Sequence, residues 1–215
     1  MNKISKVFAK KYFDLNKAID KSYIDNGIGC LAVKITKFND VISRYSGEGY
    51  ECLNHEFYSY LDRNIQYIPN DVPILLQVYG CKLTQKQKEI IIENVREHYQ
   101  YKLGEVIENN NNTVRKNVIF FALAIVFLIL FIALEDNEMI SSFLNLVFWF
   151  YGSSVVTFFA VDVRRARKAR ARAGQIANMY ITIDEKYNSN PITEEDKKII
   201  YEYLREVEAK EQTKK

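Results

Sequence analysis

The chain has 215 residues, and its 30 Lys and Arg residues nearly balance 27 Asp and Glu residues, which gives a formal net charge of +3. Its mean hydropathy is −0.22, and its length allows one small folded core in water. Three cysteines, an odd number, argue against a disulfide framework and favour free thiols in a reducing compartment. The many Lys, Asn, Ile, Tyr and Phe residues suggest an AT-rich genome, such as that of a low-GC bacterium.

The N-terminal segment has helical periodicity. Apolar residues recur at helical spacing over Ile4–Tyr23, whereas Lys6, Lys10, Lys17 and Lys21 share another face, so we predict a basic amphipathic helix. Because lysines interrupt every apolar stretch, the segment lacks the apolar region of a signal peptide, and we expect no cleavage.

Two strands and two helices are predicted before residue 81. The segments Cys30–Thr36 and Ile74–Gly80 are short, rich in apolar residues and bounded by glycine or proline, which is typical of strands. Between them, the spacing of apolar residues predicts a short helix over Phe38–Tyr45 and a longer helix over about Tyr50–Tyr67.

A third helix is predicted to begin at Thr84. Thr84 and Gln87 form the Thr-x-x-Gln pattern of a capping box, and apolar spacing continues the helix to about Leu103. The run Asn109–Asn112 then predicts a hinge.

Two long apolar runs follow the third helix. Val118–Leu134 has 17 residues and no charge, and Met139–Val161 has 23 residues. A bilayer core of about 30 Å needs roughly 20 helical residues, so both runs are predicted to be transmembrane helices. The short link Glu135–Glu138 allows only a tight hairpin between them.

Basic residues indicate the direction of the hairpin. Arg115 and Lys116 precede the first run and Arg164–Arg172 follows the second, whereas the link has no basic residue. Because Lys and Arg are retained on the cytoplasmic side, we expect a multi-pass protein of the inner (plasma) membrane with both termini in the cytoplasm.

The segment after the second run predicts three elements. Arg164–Ile176 continues the second helix, and Asn178–Asp184 alternates like a strand. Thr193 is the predicted cap of a last helix, whose inward face includes Ile199 and Ile200.

The order of elements predicts the fold class. Strand, helix, strand and helix before the runs are typical of a small cytosolic α/β domain with a mostly parallel sheet and flanking helices. We divide the chain into this domain at residues 1–112, a transmembrane hairpin at 113–163, and a tail of basic juxtamembrane helix, strand and helix at 164–215. The tail strand could add to the sheet and join both flanks in one domain.

The second apolar run carries polar and small residues on one side. Four of them are candidates for helix packing inside the membrane: Asn145, Gly152, Ser153 and Thr157. Small residues let helices approach closely, and an asparagine can hydrogen-bond across the contact. Two interpretations stay open: packing of the second span on the first, and oligomerisation with Asn145 facing a partner helix or a polar lumen.

The basic run beside the second span is a candidate lipid contact. Its cationic side chains are those of Arg164, Arg165, Arg167, Lys168, Arg170 and Arg172. Each is worth about 1 kcal/mol against anionic lipid head groups when it lies near the surface. We do not expect nucleic-acid binding, because no aromatic residue interleaves the run. Asp162 is expected to pair with the neighbouring arginines.

The residue types that carry catalysis are sparse. Cys52 and His55 could supply half of a zinc site, but a structural site needs four ligands. Cys81 at a strand end and His98 on the next helix could form a nucleophile pair, although no nucleophile motif surrounds them. Glycine-rich phosphate loops are missing from the sequence. We therefore expect no catalytic, cofactor-binding or metal-binding residues.

These features favour a non-enzymatic membrane protein that anchors a small cytosolic α/β interaction or sensor domain. Its expected partners are the lipid bilayer and either a second copy or another protein. One alternative is an oligomerising two-helix effector that disrupts the membrane when its cytosolic domain is triggered. Another is a membrane-bound enzyme that uses Cys81 and His98.

Overall fold

The structure, a computed structural model, describes residues 23–134, 136, 138–188 and 192–212. The helix predicted over Ile4–Tyr23 lies outside the described residues except for Tyr23. The elements in chain order are β1 (Ile24–Asp25), β2 (Ile28–Lys34), a 3-10 turn (Phe38–Asp40), α1 (His55–Ile65), β3 (Ile74–Tyr79), α2 (Gln85–Ala133), α3 (Glu138–Thr157), a π-helical turn (Phe158–Asp162), α4 (Val163–Ala177), β4 (Tyr180–Asp184) and α5 (Glu194–Gln212).

The four strands form one mixed sheet in the order β1-β2-β3-β4. β2 pairs with β3 in parallel, and β3 pairs with β4 in parallel, with Leu76 opposite both Leu31 and Ile181. β1, which the sequence analysis missed, pairs antiparallel with β2 across Asn26 and Gly27. Both of these residues have positive φ, as the tight turn of a hairpin requires. The strand after the apolar runs therefore does join the sheet.

Successive residues of each strand point to opposite faces of the sheet, and different helices pack on the two faces. One face contributes alternate buried residues: Leu31, Val33, Leu76, Val78, Ile181 and Ile183. They form the main core together with buried apolar residues of α1 and of the first turns of α2: Phe57, Leu61, Ile65, Ile91 and Val95. On the opposite face, Ile28 and Leu75 pack with Ile200 of α5.

Side-chain caps fix where the helices of this unit begin. The Asn54 side chain accepts a hydrogen bond from the Glu56 backbone N–H at 3.0 Å and starts α1. Thr84 and Gln87 form the predicted capping box, because the Thr84 N–H donates to Gln87 Oε1 and the Gln87 N–H donates to Thr84 Oγ1. The predicted cap at Thr193 is confirmed, with Asp196 as its reciprocal partner.

Two predicted helices before β3 are wrong in extent. The helix expected over Phe38–Tyr45 is only the 3-10 turn Phe38–Asp40. The Asp40 carboxylate accepts hydrogen bonds from the Thr36 N–H and hydroxyl, both at 2.7 Å, which closes a local turn that competes with a helix. The helix expected from Tyr50 begins only after its cap at Asn54.

The hinge predicted at Asn109–Asn112 is also wrong, because α2 runs without interruption through it. The Asn110 side chain donates to the carbonyl oxygen of Ala166 at 3.3 Å, and the Thr113 hydroxyl donates to the carbonyl oxygen of Asn109. These polar groups are satisfied within a helical backbone, so low helix propensity does not break the helix here.

The chain divides into two compact units. One unit joins the segments up to His98 and from Asn178 onward, and the other is Tyr99–Ala177. The first unit contains the sheet. The second contains helices long and apolar enough to cross a membrane, within Gln85–Ala133 and Glu138–Ala177.

Candidate functional site

The apolar helices of the second unit contact each other through aromatic rings and one hydrogen bond. Tyr151 lies against Phe127, with ring centroids 5.7 Å apart and planes within 3°, and also against Phe120 at 5.7 Å. The Asn110–Ala166 hydrogen bond joins them further along. We call Glu138–Ala177, which comprises α3, the π-helical turn and α4, the second helix. Because Phe127 and Phe120 contact Tyr151 and the earlier Asn110 contacts the later Ala166, α2 and the second helix run antiparallel.

Most of the apolar surface of these helices is exposed. Only 6% of the most apolar 18-residue window is buried in each helix. Between Val118 and Val161 the buried residues are few: Ala124, Ser141, Leu144 and Phe158. A core helix of a soluble protein is buried on at least one face, so these helices lack the burial that such a role requires.

Two of the four residues expected to pack helices inside the membrane, Ser153 and Thr157, line a cleft that residues of α2 also line. Asn145, Ser153 and Thr157 are exposed, and Gly152 is half-buried with open space where a Cβ would stand. The hydroxyls of Ser153 and Thr157 donate to carbonyl oxygens of their own helix, those of Phe150 and Ser153. Packing of these residues against a partner helix stays a prediction.

The basic run is arranged along α4. Arg164, Arg165, Arg167, Lys168 and Arg170 are exposed. Arg172 is half-buried, its guanidinium donates to Gln175 Oε1 at 2.6 Å, and burial lowers its pKa. Among the described residues, Asp162 forms no ion pair with Arg164 or Arg165, so the expected pairing is wrong.

The first unit contains a pocket on the sheet face that α5 only partly covers. Its volume is about 200 Å³, and strand register places Gln77 and Thr182 side by side on its floor. Asp184 at the end of β4 and Asp196 near the start of α5 line its rim. The pocket therefore runs along the whole of β4, from Tyr180 to Asp184, beside Leu75 and Gln77 of β3.

The polar side chains of this pocket can accept hydrogen bonds from a ligand. The Thr182 Oγ1 is buried and has no hydrogen-bond partner among the described residues. Hydrogen bonds from the Thr193 hydroxyl and backbone N–H lower the pKa of Asp196 and keep it ionised. Two carboxylates, the amides of Gln77 and Asn188, and the hydroxyl of Thr182 suit a small ligand with hydroxyl or amino groups.

The cysteines and histidines proposed for chemistry are not brought together. Cys81 lies before α2, and its Sγ contacts the carbonyl oxygen of Lys82, whereas His98 lies 13 residues into α2 against the ring of Tyr58. The 13 residues from the start of α2 to His98 span about 20 Å along the helix axis, and Cys81 precedes that start. His98 is therefore too far from Cys81 for proton transfer between them. Cys52 precedes α1, so it shares no helix face with His55.

The remaining thiol is protected by its surroundings. Burial is the main cause that raises the pKa of Cys30 to about 11 from 9.0, and the nearby Asp25 carboxylate adds to it. Cys30 is therefore a thiol rather than a thiolate near neutral pH. Within the described ranges, no three His, Cys, Asp or Glu side chains are grouped to hold a metal ion.

Comparison with known proteins gives no relative. No family model, no curated protein and no solved structure matches this chain.

Sequence reasoning missed the residues that converge in space. Gln77 and Thr182 are 105 positions apart and meet only through the register of β3 and β4. Alternation within each strand could have placed each of them on the face opposite the main core. The sequence does not show that β3 and β4 are neighbours in the sheet.

Proposed function

We propose that this chain is an integral membrane protein that crosses the bilayer twice and holds a small α/β sensor domain in the cytoplasm. The exposed apolar surface supports the membrane placement. Twenty large apolar side chains between Val118 and Val161 are exposed. At about 1 kcal/mol for each half-exposed side chain, their transfer from water into the hydrocarbon of a bilayer would be favourable by roughly 20 kcal/mol.

The pairing of β3 with β4 is the single observation that carries the double crossing. β3 precedes both apolar helices and β4 follows both, yet they are neighbours in one sheet. Two strands can pair only on one side of a bilayer, so the chain between them must cross an even number of times. Two apolar helices meet that condition.

Basic residues support the cytoplasmic side for the sheet domain. Arg115 and Lys116 lie at one end of the first apolar helix, and α4 carries its exposed arginines directly after the second. Under the positive-inside rule both ends belong in the cytoplasm. The exposed cations of α4 would then lie at the level of anionic lipid head groups.

The pocket on the sheet face supports a sensor rather than a pure anchor. It offers acceptors to a small ligand rich in hydroxyl or amino groups, and six of its ten described lining residues belong to β4 and α5, which follow the apolar helices. Binding there would stabilise the docking of the chain segments on both sides of the hairpin. Because the described lining offers hydrogen-bonding groups that suit a bound ligand, we propose recognition.

Thiol labelling tests the membrane placement. Asp136→Cys puts a thiol in the link, and the exposed native Cys52 is a matched internal probe in the same molecule. We expect a membrane-impermeant maleimide to label Asp136→Cys on intact cells and to label Cys52 only after permeabilisation. Labelling of Cys52 on intact cells, or extraction of the protein without detergent, would refute the proposal.

One observation favours the oligomerising effector as a second candidate. Asn145 is exposed within the apolar run, and its amide has no hydrogen-bond partner among the described residues. It belongs to a seam of 3–4 spacing that continues through Trp149, Gly152 and Val156, the pattern of paired helices. An unsatisfied amide in lipid favours a partner, and two asparagines can pair with each other.

The effector hypothesis predicts that a single substitution, Asn145→Leu, abolishes disruption of the membrane. If oligomerised hairpins breach the membrane, overexpression should collapse the membrane potential, and Asn145→Leu should abolish that collapse. Leu146→Ala, at an exposed apolar neighbour, is the control and should keep it. A potential that stays intact on overexpression would exclude the effector.

A further inference from the structure

A polar cleft lies between the two antiparallel helices of the second unit. Its volume is about 360 Å³. α2 contributes Thr113, Lys116 and Asn117, and the second helix contributes Ser153, Thr157 and Asp162. So many polar groups are unusual beside two apolar runs, and burial of polar groups against lipid is costly unless a partner satisfies them.

Contacts on either side bound the cleft. The Asn110–Ala166 hydrogen bond closes one end, and the contact between Phe120 and Tyr151 closes the other. Between these contacts the second helix passes through the π-helical turn Phe158–Asp162. A π turn widens the helix locally and often occurs at functional sites.

The cleft has two charges of opposite sign that do not neutralise each other. Lys116 and Asp162 both line it, yet among the described residues they form no ion pair within 4.0 Å. Lys116 lies two residues before the first apolar run and Asp162 one residue after the second. In the proposed topology both charges therefore lie at the level of the cytoplasmic head groups.

The uncharged polar groups of the cleft can still form hydrogen bonds with a ligand. The hydroxyls of Ser153 and Thr157 donate to their own backbone, which leaves their oxygen lone pairs free to accept. The Asn117 amide donates one hydrogen to the Thr113 carbonyl oxygen and has a second to offer. Acceptors thus lie on the Asp162 side and donors on the Lys116 side.

We propose that this cleft binds the head group of a phospholipid that carries a phosphate and a primary ammonium, as phosphatidylethanolamine does. The phosphate lies against Lys116 and Asn117. The ammonium donates its hydrogens to Asp162 and to the hydroxyl oxygen of Thr157. Phe120, at the inner side of the cleft, leads from the polar groups to the apolar surface along which the acyl chains lie.

The chemistry of the cleft discriminates among lipids. A choline head group has no N–H to donate, so it leaves Asp162 without hydrogen bonds. An anionic glycerol head group places no cation on Asp162. This proposal rests on the membrane placement proposed above, but it concerns a site distinct from the exposed cations of α4.

Lipid binding to the purified full-length protein in detergent tests the site, with native mass spectrometry as the readout. We expect the ethanolamine lipid to bind about tenfold more tightly than the choline lipid of the same chains, since charge-assisted hydrogen bonds are lost with choline. Asp162→Asn should remove that preference, Asp162→Glu should restore it, and Asp136→Asn should leave it unchanged. Lys116→Gln should weaken the binding of both lipids, because each carries a phosphate.

Three results would overturn the proposal. Equal binding of ethanolamine and choline lipids would do so, as would an unchanged preference in Asp162→Asn. The third is an unchanged affinity of Lys116→Gln for both lipids, because the phosphate would then not lie against Lys116. Soluble phosphoethanolamine that competes as well as the lipid would show a small-molecule site instead. Failure of the membrane placement is separate, since it appears in the labelling of Asp136→Cys.

Discussion

Replacement of Ile200 tests whether α5 is an integral part of the sheet unit. Ile200 is 2% exposed and packs against Ile28 and Leu75, so Ile200→Ala removes three buried carbons from the centre of this cluster. At about 0.8 kcal/mol for each carbon, plus a cavity contribution, we expect a loss of about 3 kcal/mol in the free energy of unfolding. Ile199 is 51% exposed on the same helix turn, and Ile199→Ala should cost less than about 0.5 kcal/mol.

The assay uses Cys30 as a local reporter, because this thiol packs against the same cluster. A loss of about 3 kcal/mol raises the population of opened molecules roughly 100-fold, and alkylation of Cys30 in the full-length protein should accelerate to match. Urea unfolding in detergent gives the free energy directly. If Ile200→Ala and Ile199→Ala behave alike in both assays, α5 is not packed on the sheet as described and the reasoning fails.

Three further predictions concern single residues of the sheet unit. Gly80→Ala should lower the free energy of unfolding by about 2 kcal/mol or more, because φ is +107° and a Cβ would lie 2.8 Å from a backbone oxygen. Gly47→Ala is the control in thermal unfolding, because a Cβ at Gly47 would meet open space. Thr193→Ala should cost about 1 kcal/mol in the same assay through loss of the cap, and an unchanged melting temperature would contradict this. Because the folded pKa of Cys30 is raised from 9.0 to about 11, its contribution to stability is intact below pH 9, declines above it and is lost by about pH 11. Urea titrations with the wild type and Cys30→Ala should therefore converge as the pH rises, and parallel curves would refute the shift.

Local chemistry made several elements predictable from sequence. The capping boxes at Thr84 and Thr193 begin their helices as the residue pattern indicates. β3 is confirmed almost residue for residue, because a short apolar run between a proline and a glycine leaves few alternatives. Two helices long enough to span a membrane follow from uninterrupted apolar composition alone.

Other features depended on interactions that periodicity does not contain. The turn at Asp40 is made by side-chain hydrogen bonds, and they outcompete an apolar spacing that favoured a helix. The helix continues through Asn110 because its amide reaches a second helix. The Asn26–Gly27 turn, by contrast, is a hairpin signal that local sequence does contain.

The candidate sites were the least predictable part of the molecule. Asn145 and the basic residues of α4 were found as patterns within single segments. The sheet-face pocket and the cleft with Lys116 and Asp162 combine segments that only the tertiary fold brings together. Sequence spacing says nothing about such pairs without a known topology.

The pairing of β3 with β4 in the membrane-bound protein is the most direct test of the central claim. Gln77 and Thr182 are opposite each other in the parallel register, so cysteines at these positions lie within disulfide range. In membrane vesicles, with the three native cysteines replaced, we predict that Gln77→Cys and Thr182→Cys form an intramolecular disulfide under mild oxidation. The matched pair Gln77→Cys and Lys186→Cys, with the second thiol beyond the strand, should not. Equal yields for the two pairs, or disulfides only between chains, would contradict a sheet built from both flanks of the apolar helices.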